Sequence, residues 1–472
     1  MKILRPYQVK GKQMLYDSFA SGMKRVIYWM ATGAGKTTVF CDIIKELYGK
    51  GFPVVLVMRR RELIGQASKS LDSYGVDHGI YMAGHRRFYP KELVQVCSID
   101  TLDARSIYPH ADKANTILVV DESHDSTPKA KKYVALFSHY PNAHIMGFTA
   151  TPFADNSMFE DIICPITPAE LRDQGFLVPD RCFVPSTINV DGIKKSHGDF
   201  NERQLFDASS QPQIVGDFVR DWKKYGQGRP TLLYSVNCKH SEIIASAFLV
   251  EGVPVVCVDA STKQPDRIKA IRRLVSGEIK IIINVNLFSV GVDIPEVSCI
   301  QLCRPTLSLI WHVQAIGRGL RISPSTGKRD CIIIDNAANI LRHGSVYDPR
   351  DATLEKRKRA KECELKIRRC AQCFYVFEAS ISVCPNCGYM NPVIERTINH
   401  SEGELTEYKL SDEEQEVITR RSIIMDLYKL KFVGKTRFSH QTNWAYKKLI
   451  EKYGIKSVRN YAKEIQLPEE FL

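Results

Sequence analysis

Four groups of residues in this chain have types and spacings that do chemistry. The first is residues 31–38, Ala-Thr-Gly-Ala-Gly-Lys-Thr-Thr. Glycines let a backbone curl until successive N–H groups face inward, and such a nest holds phosphate oxygens. Thr32, Gly33, Ala34, Gly35 and Thr38 would supply that backbone. Lys36 would reach the outer phosphates of a nucleotide as a point charge, and the Thr37 hydroxyl would hold Mg2+. The general pattern begins with glycine, and Met30 stands in its place. The second group is Asp121-Glu122. Two adjacent carboxylates at a strand end can divide the labour: Asp121 would hold Mg2+, directly or through water, and Glu122 would orient and deprotonate an attacking water. The third is residues 314–321, Gln-Ala-Ile-Gly-Arg-Gly-Leu-Arg. Arg318 and Arg321, three apart on one helix face, would reach a γ-phosphate across a cleft, and Gln314 would align the water. A guanidinium suits this because its planar fork matches phosphate oxygens and it stays charged.

The fourth group is Cys370, Cys373, Cys384 and Cys387, spaced C-x2-C-x10-C-x2-C. Each pair can chelate one ion, and four thiolates close a tetrahedral Zn2+ site with no open position for water, so the metal is expected to be structural. A redox dithiol is the rival reading of a single C-x2-C, and two in register argue against it. The spacer is somewhat short for a zinc ribbon, which leaves the ribbon type open, as it leaves open whether the ribbon touches nucleic acid, braces the fold or binds protein. The chain has 14 cysteines; Cys257, Cys299, Cys303 and Cys331 sit in strand-like runs, as unpaired core thiols do in a reducing cytosol.

Around these groups, 472 residues with 44% hydrophobic content allow roughly three packed domains. The sequence has no apolar run of about 18 residues and no signal-peptide core at residues 1–6, so we expect no membrane span and a cytoplasmic location. The net charge of +13 favours a polyanionic partner without separating DNA from RNA. Short apolar runs at 26–30, 54–58, 93–97, 117–120 and 145–148 alternate with helical patterns, which predicts a parallel sheet covered by helices over residues 1–165. Such sheets bind ligands beyond the carboxyl ends of their strands, where the glycine loop, Asp121-Glu122 and the Thr149-Ala150-Thr151-Pro152 turn all fall. Gln8, at the start of a helix, could read adenine with its amide. Residues 166–215 lack clear periodicity and read as a connector with local helices, one at 168–174. Alternation resumes at 231–234, 254–258, 280–283, 298–302 and 331–334, a second α/β block over residues 216–350 without a glycine loop of its own. Residues 351–400 hold a basic linker, at 356–361, and the cysteines. In residues 401–472 an acidic connector precedes a basic helical tail. Residues 420–463 carry twelve Lys or Arg against Asp426 and Glu451, with Tyr428, Phe432, Phe438, Trp444, Tyr446 and Tyr453 interleaved, so that a small helical core would turn a basic face to phosphates.

In their order, residues 31–38, 121–124 and 149–151 resemble motifs I, II and III of superfamily 2 helicases, the Asp-Glu-Ser-His string lying near the DEAD/DEAH groups. Residues 4–8 resemble the adenine-recognition segment and residues 60–66 resemble motif Ia. Residues 98–102 resemble the later strand-end motif that touches nucleic-acid backbone. Residues 284–295 resemble motif V, residues 314–321 motif VI, and residues 234–235, more faintly, motif IV. The tail, at 442–448 and 451–454, is loosely similar to the ends of bacterial RadD-like and phage-encoded helicases, which also join a superfamily 2 motor to cysteine knuckles. The resemblance covers residues 1–340 and implies two tandem RecA-like domains with a small zinc-binding and helical extension. It implies that Gly291 and Asp293 lie near ribose and phosphates, and that Thr149 and Thr151 couple hydrolysis to nucleic acid. It further implies nucleic-acid contacts at Arg61 and Thr101; in the tail, Lys447 and Lys448 are candidates for the same role.

The expected activity is an ATP-dependent DNA helicase or translocase acting on branched or forked DNA in repair, recombination or replication. Its cofactors would be ATP, Mg2+ and Zn2+, and a single-strand-binding or nuclease protein is a candidate partner. The motor of a restriction-type complex, an RNA helicase and a nucleotide-gated nucleic-acid-binding protein with little turnover are the alternatives. Oligomeric state is not legible.

Overall fold

The computed structural model describes residues 3–113, 115–185, 187–196, 198–285, 287, 294–355, 367–390 and 451. Among these, the strands build two parallel sheets and two short hairpins. The first sheet contains β1 (Arg25–Trp29), β2 (Val54–Met58), β3 (His78–Tyr81), β4 (Val94–Ser98), β5 (Ile117–Asp121), β6 (His144–Thr149) and β7 (Asp161–Ile163). Their spatial order is β3-β4-β2-β5-β6-β1-β7, parallel at every pairing. Residues alternate between its two faces. Val26, Tyr28, Val54 and Leu56 join Leu15, Phe40, Ile43, Ile64 and Leu71 from the helices Pro6–Ala20, Lys36–Gly49 and Arg61–Ser73. Ile27, Val55, Val57, Leu118 and Val120 join Leu102, Tyr133 and Leu136 from Ile99–Arg105 and Lys131–His139. Helices on both faces explain why these strands are near-continuous apolar runs rather than alternating ones.

The second sheet takes β8 (Asp180–Phe183) from the middle of the expected connector. Between it and the remaining strands comes a small hairpin of β9 (Lys195–Ser196) and β10 (Asp199–Phe200). Then follow β11 (Thr231–Tyr234), β12 (Val255–Val258), β13 (Ile281–Asn284), β14 (Cys299–Leu302) and β15 (Cys331–Asp335), in the order β12-β13-β11-β14-β15-β8, again all parallel. The second lobe thus starts well before residue 216. Besides β8, the helix Pro212–Asp221 packs Phe218 and Val219 against Phe183, Leu233 and Ile283. The edge position of β8 explains why it escaped the sequence pattern: Asp-Arg-Cys-Phe is short and half polar, and an edge strand needs no continuous apolar run. The strands β3 and β7, at the two edges of the first sheet, were missed for the same reason.

A last pair, β16 (Ile367–Arg369) and β17 (Val376–Glu378), frames the first two cysteines. The basic linker at 356–361, the acidic connector and nearly all of the basic tail, including Lys447 and Lys448, lie outside the described residues, as do Gly291 and Asp293. No helix among the described residues is long and apolar enough to cross a membrane.

Packing is tight where β6 passes beneath the carboxylate turn. A Cβ on Gly147 would lie 2.8 Å from Ser123 Cβ and from Phe159 Cε1. Over-packing of this kind costs on the order of 1–3 kcal/mol. Gly147→Ala is therefore expected to lower the thermal unfolding midpoint, which circular dichroism will read.

Candidate nucleotide site between the lobes

The glycine loop runs from the end of β1 into the helix Lys36–Gly49. Gly33 and Gly35 have φ of 85° and 89°, a left-handed backbone that a side chain disfavours, and this turns the loop inward. The Lys36 ammonium donates to Met30 O at 3.1 Å, across the mouth of the loop. Burial pulls its pKa down, and the carboxylates of Glu122 and Asp121 oppose that pull. The Gln8 amide nitrogen donates to Ala34 O at 3.0 Å and its oxygen accepts from Arg5 N at 2.9 Å. Tyr7 Oη also donates to Ala34 O, at 2.9 Å. The segment expected to read a base therefore also fixes the phosphate loop from beneath. Arg5 lies over the Phe176 ring at 4.6 Å, beside Tyr7; Phe176 carries no motif signal in the sequence.

The carboxylates end β5. Asp121 is 8% exposed, and its Oδ1 accepts the Glu122 amide at 3.0 Å. Burial, followed by the charge of Glu122, pushes the Asp121 carboxyl well above its usual range against the pull of Lys36. Glu122 holds φ 53°, ψ 49°, a left-handed conformation uncommon for a residue with a side chain. Its Oε2 is buried without a hydrogen bond among the described residues and lies 3.4 Å from His124 Nδ1. Crowded, partly desolvated carboxylates fit a divalent cation, which would relieve the repulsion, and Thr37 of the glycine loop is exposed.

The arginines sit differently from the helical face expected of them. The helix Leu309–Gly317 stops before both: Arg318 is its C-cap, and Arg321 is extended, bridged to Leu177. Between them only a glycine fits, because any Cβ on Gly319 would collide with Cys331 Sγ and Ile300. Both arginines nonetheless face the first lobe. The Arg321 Cγ lies 2.8 Å from where a Cβ of Gly33 would be, and a Cβ on Gly317 would lie only 3.0 Å from Thr32 Cβ. The charges of Arg318 and Arg321 act on Lys36. The residues of one lobe thus complete a pocket begun by the other.

His124, which the sequence displays only as the last letter of a four-residue string, joins three of the predicted motifs. Its Nδ1 is 3.0 Å from Thr149 Oγ1 and 3.5 Å from Thr151 Oγ1, and its Nε2 is 3.4 Å from Gln314 Nε2 of the second lobe. Thr149 Oγ1 also accepts the Thr151 amide at 3.0 Å. Of the expected nucleic-acid contacts, Arg61 donates to Ala83 O at 2.8 Å and Thr101 Oγ1 accepts the Ala83 amide at 3.2 Å. Both grip the loop after β3. The neighbouring Glu62 pairs across the cleft with Arg267 at 2.9 Å.

Comparison with known proteins identifies the family of both lobes. The family described as "Type III restriction enzyme, res subunit" matches residues 1–154, and that described as "Helicase conserved C-terminal domain" matches residues 211–323, together more than half of the chain. The chain belongs to the superfamily 2 helicases. With that it is a nucleic-acid-dependent ATPase by class. A "51.5 kDa protein" of Lactococcus phage (isolate 7-9) is 27% identical over 424 residues, 87% of this chain and 86% of its own length. The protein named IRC3 of Saccharomyces cerevisiae, an ATP-dependent helicase by name, is 28% identical over 358 residues, 71% of this chain. This helicase chain spans 51% of that yeast relative's length. Among solved structures, a fragment assigned to the HsdR subunit of a type I restriction enzyme from Vibrio vulnificus YJ016 superposes with a TM-score of 0.58 at 19% identity, covering 73% of this chain and 66% of the other. The type ISP restriction-modification enzyme LlaBIII, bound to DNA, superposes with a TM-score of 0.54 at 16% identity, over 71% of this chain and 28% of that one. At those identities the likeness concerns the fold: two tandem RecA-like parallel-sheet domains.

Away from the helicase cleft, the sulfurs of Cys370, Cys373, Cys384 and Cys387 lie within 4.8 Å of one another. Cys370 Sγ is 3.7 Å from Cys387 Sγ, and Cys373 Sγ is 3.6 Å from Cys384 Sγ. Tetrahedral zinc with Zn–S of about 2.3 Å requires S···S of about 3.8 Å, and disulfides about 2 Å, so the donor set fits zinc and excludes cystines. The Gln372 amide and the Asn386 side chain donate to Cys370 and Cys373 sulfurs, each at 3.4 Å, as they would to thiolates.

Because His124 is the meeting point of the carboxylate turn, the threonine turn and Gln314, His124→Ala is expected to leave nucleotide affinity intact while removing most of the stimulation of ATP hydrolysis by nucleic acid. Nucleotide titration alongside steady-state turnover with and without nucleic acid will check this.

Proposed function

We propose that this chain is an ATP-dependent DNA helicase or translocase that unwinds or remodels branched or forked DNA in repair, recombination or replication. The observation that carries the reading is the packing of Gly317 and Arg321 of the second lobe onto Thr32 and Gly33 of the phosphate loop. A triphosphate gripped by Lys36, Thr37 and the loop amides would draw the guanidinium groups of Arg318 and Arg321 inward. Glu122 would then take a proton from the attacking water, which Gln314 helps align. Thr37 and Asp121 would hold Mg2+, which when bound would supply positive charge to offset that of the phosphates. Cleavage would loosen the cleft, and the His124–Thr149–Thr151 link would pass that change to contacts with a nucleic-acid strand. Such contacts go mainly to phosphates, so the motor would be largely indifferent to sequence. Zn2+ held by Cys370, Cys373, Cys384 and Cys387 would fix the knuckle's fold and take no part in the chemistry. The net charge of +13 supports a polyanionic track.

A second reading is the motor of a restriction-type complex. It draws support from the restriction-subunit family that matches residues 1–154, and it requires a separate nuclease partner.

Glu122→Gln is expected to bind ATP and fail to cleave it. Wild-type turnover is expected to rise with single-stranded, duplex or forked DNA and to rise most with forked DNA. Equal or greater stimulation by RNA would overturn the DNA assignment, and copurification of nuclease subunits would favour the second reading.

A further inference from the structure

The knuckle is joined to the second lobe through its metal-binding turn. Val184 N donates to Phe374 O at 3.0 Å, and Phe183 forms an antiparallel bridge with Tyr375, just past Cys373. The Arg369 guanidinium donates to Val184 O at 3.2 Å, and Arg181 donates to Asn386 Oδ1 at 3.0 Å. The rings of Phe183 and Tyr375 meet edge-on at 5.4 Å, and Phe183 stacks on Tyr225 at 4.6 Å. Phe374 and Tyr375 pack on the second lobe's own apolar cluster. The turn that carries Cys370 and Cys373 is tied to these same residues: Cys370 N donates to Tyr375 O at 2.9 Å, and Phe374 N to Cys370 O at 3.1 Å.

The strand so clamped has motif VI at its other end. Going backwards along it, β8 pairs with β15 from Phe183↔Ile334 to Asp180↔Cys331, and Cys331 N donates to Pro179 O at 2.9 Å. Val178 N then donates to Leu320 O at 2.9 Å, and Leu177 is bridged to Arg321 itself. One extended segment therefore touches the cysteine turn at Val184 and the arginine that faces the phosphate loop at Leu177. Its length is about 23 Å at the rise of a strand.

We propose that the four-cysteine knuckle positions Arg321: by holding the outer strand of the second sheet in register, it fixes the backbone from which that arginine reaches the nucleotide. This rests on the reading of the cysteines as a zinc site and of Arg321 as a nucleotide contact. The knuckle's effect on turnover then passes through the protein and needs no contact of its own with nucleic acid. Small displacements far from the chemistry suffice, since a shift of about 1 Å can cost on the order of a hundredfold in rate.

The test uses the full chain. Tyr375→Ala removes the ring that packs on Phe183, Arg369→Ala removes the bond to Val184 O, and neither touches a sulfur. Zinc content, ATP turnover at saturating nucleic acid, KM for ATP, nucleic-acid affinity and amide exchange over residues 177–184 are measured for each. The expected result is zinc retained and nucleic-acid affinity unchanged, with faster exchange at Val178 and Val184. kcat falls on the order of tenfold with little change in KM, and Tyr375→Phe restores it. Normal kcat in both variants despite faster exchange would overturn the proposal. So would a loss confined to nucleic-acid affinity that saturation repairs. Wild-type chain purified without zinc sinks the zinc reading alone, because the two variants still decide whether the clamp governs Arg321.

Discussion

The structure depends on one close approach. Two glycines, Gly317 of the second lobe and Gly33 of the first, let backbone and arginine stem come within contact of the opposite loop, where a Cβ would meet Thr32 or Arg321. Everything that gives the cleft its chemistry follows from this proximity. Lys36 feels both arginines, the carboxylates at the end of β5 feel Lys36, and their mutual repulsion leaves a site that a divalent cation would stabilise. Neither lobe has a complete set of charges by itself. The electrostatic balance of the pocket is a property of the lobes' separation, which is what a motor requires if a change in phosphate charge is to become movement.

The polar link through His124 complements that arrangement. The imidazole is within reach of two threonine hydroxyls on its own lobe and an amide on the other, and its ring orientation is fixed by those partners. A side chain that contacts the carboxylate turn, the strand-end threonines and the second lobe at once is placed to respond to cleft geometry.

The parts of the site that rest on local rules were legible in the sequence. The glycine loop, the acidic strand end and the paired cysteines each need particular residue types at particular spacing, and the buried parallel strands between them are apolar throughout. What was not legible depends on tertiary context. The strand β8 is half polar because it lies at an edge. The arginines lie beyond the helix end, with Gly319 between them so close to Cys331 and Ile300 that no Cβ fits, a contact made over the sheet and invisible locally. His124 carries no signal of its own, since a single histidine after two acids is compatible with a solvated turn; its partners come from residues 149, 151 and 314. The Arg5–Phe176 contact likewise joins residues far apart in the chain.

The position of β8 has one more consequence. An edge strand leaves a row of amide and carbonyl groups without partners, and such a row can recruit a strand from another molecule. Here the far end of that row is occupied by Phe374, Tyr375 and Arg369. The knuckle is thereby a stopper as well as an appendage. A chain cut ahead of its cysteines would keep both lobes yet bare a sticky margin along the strand that holds Arg321, so its solubility would suffer together with its turnover.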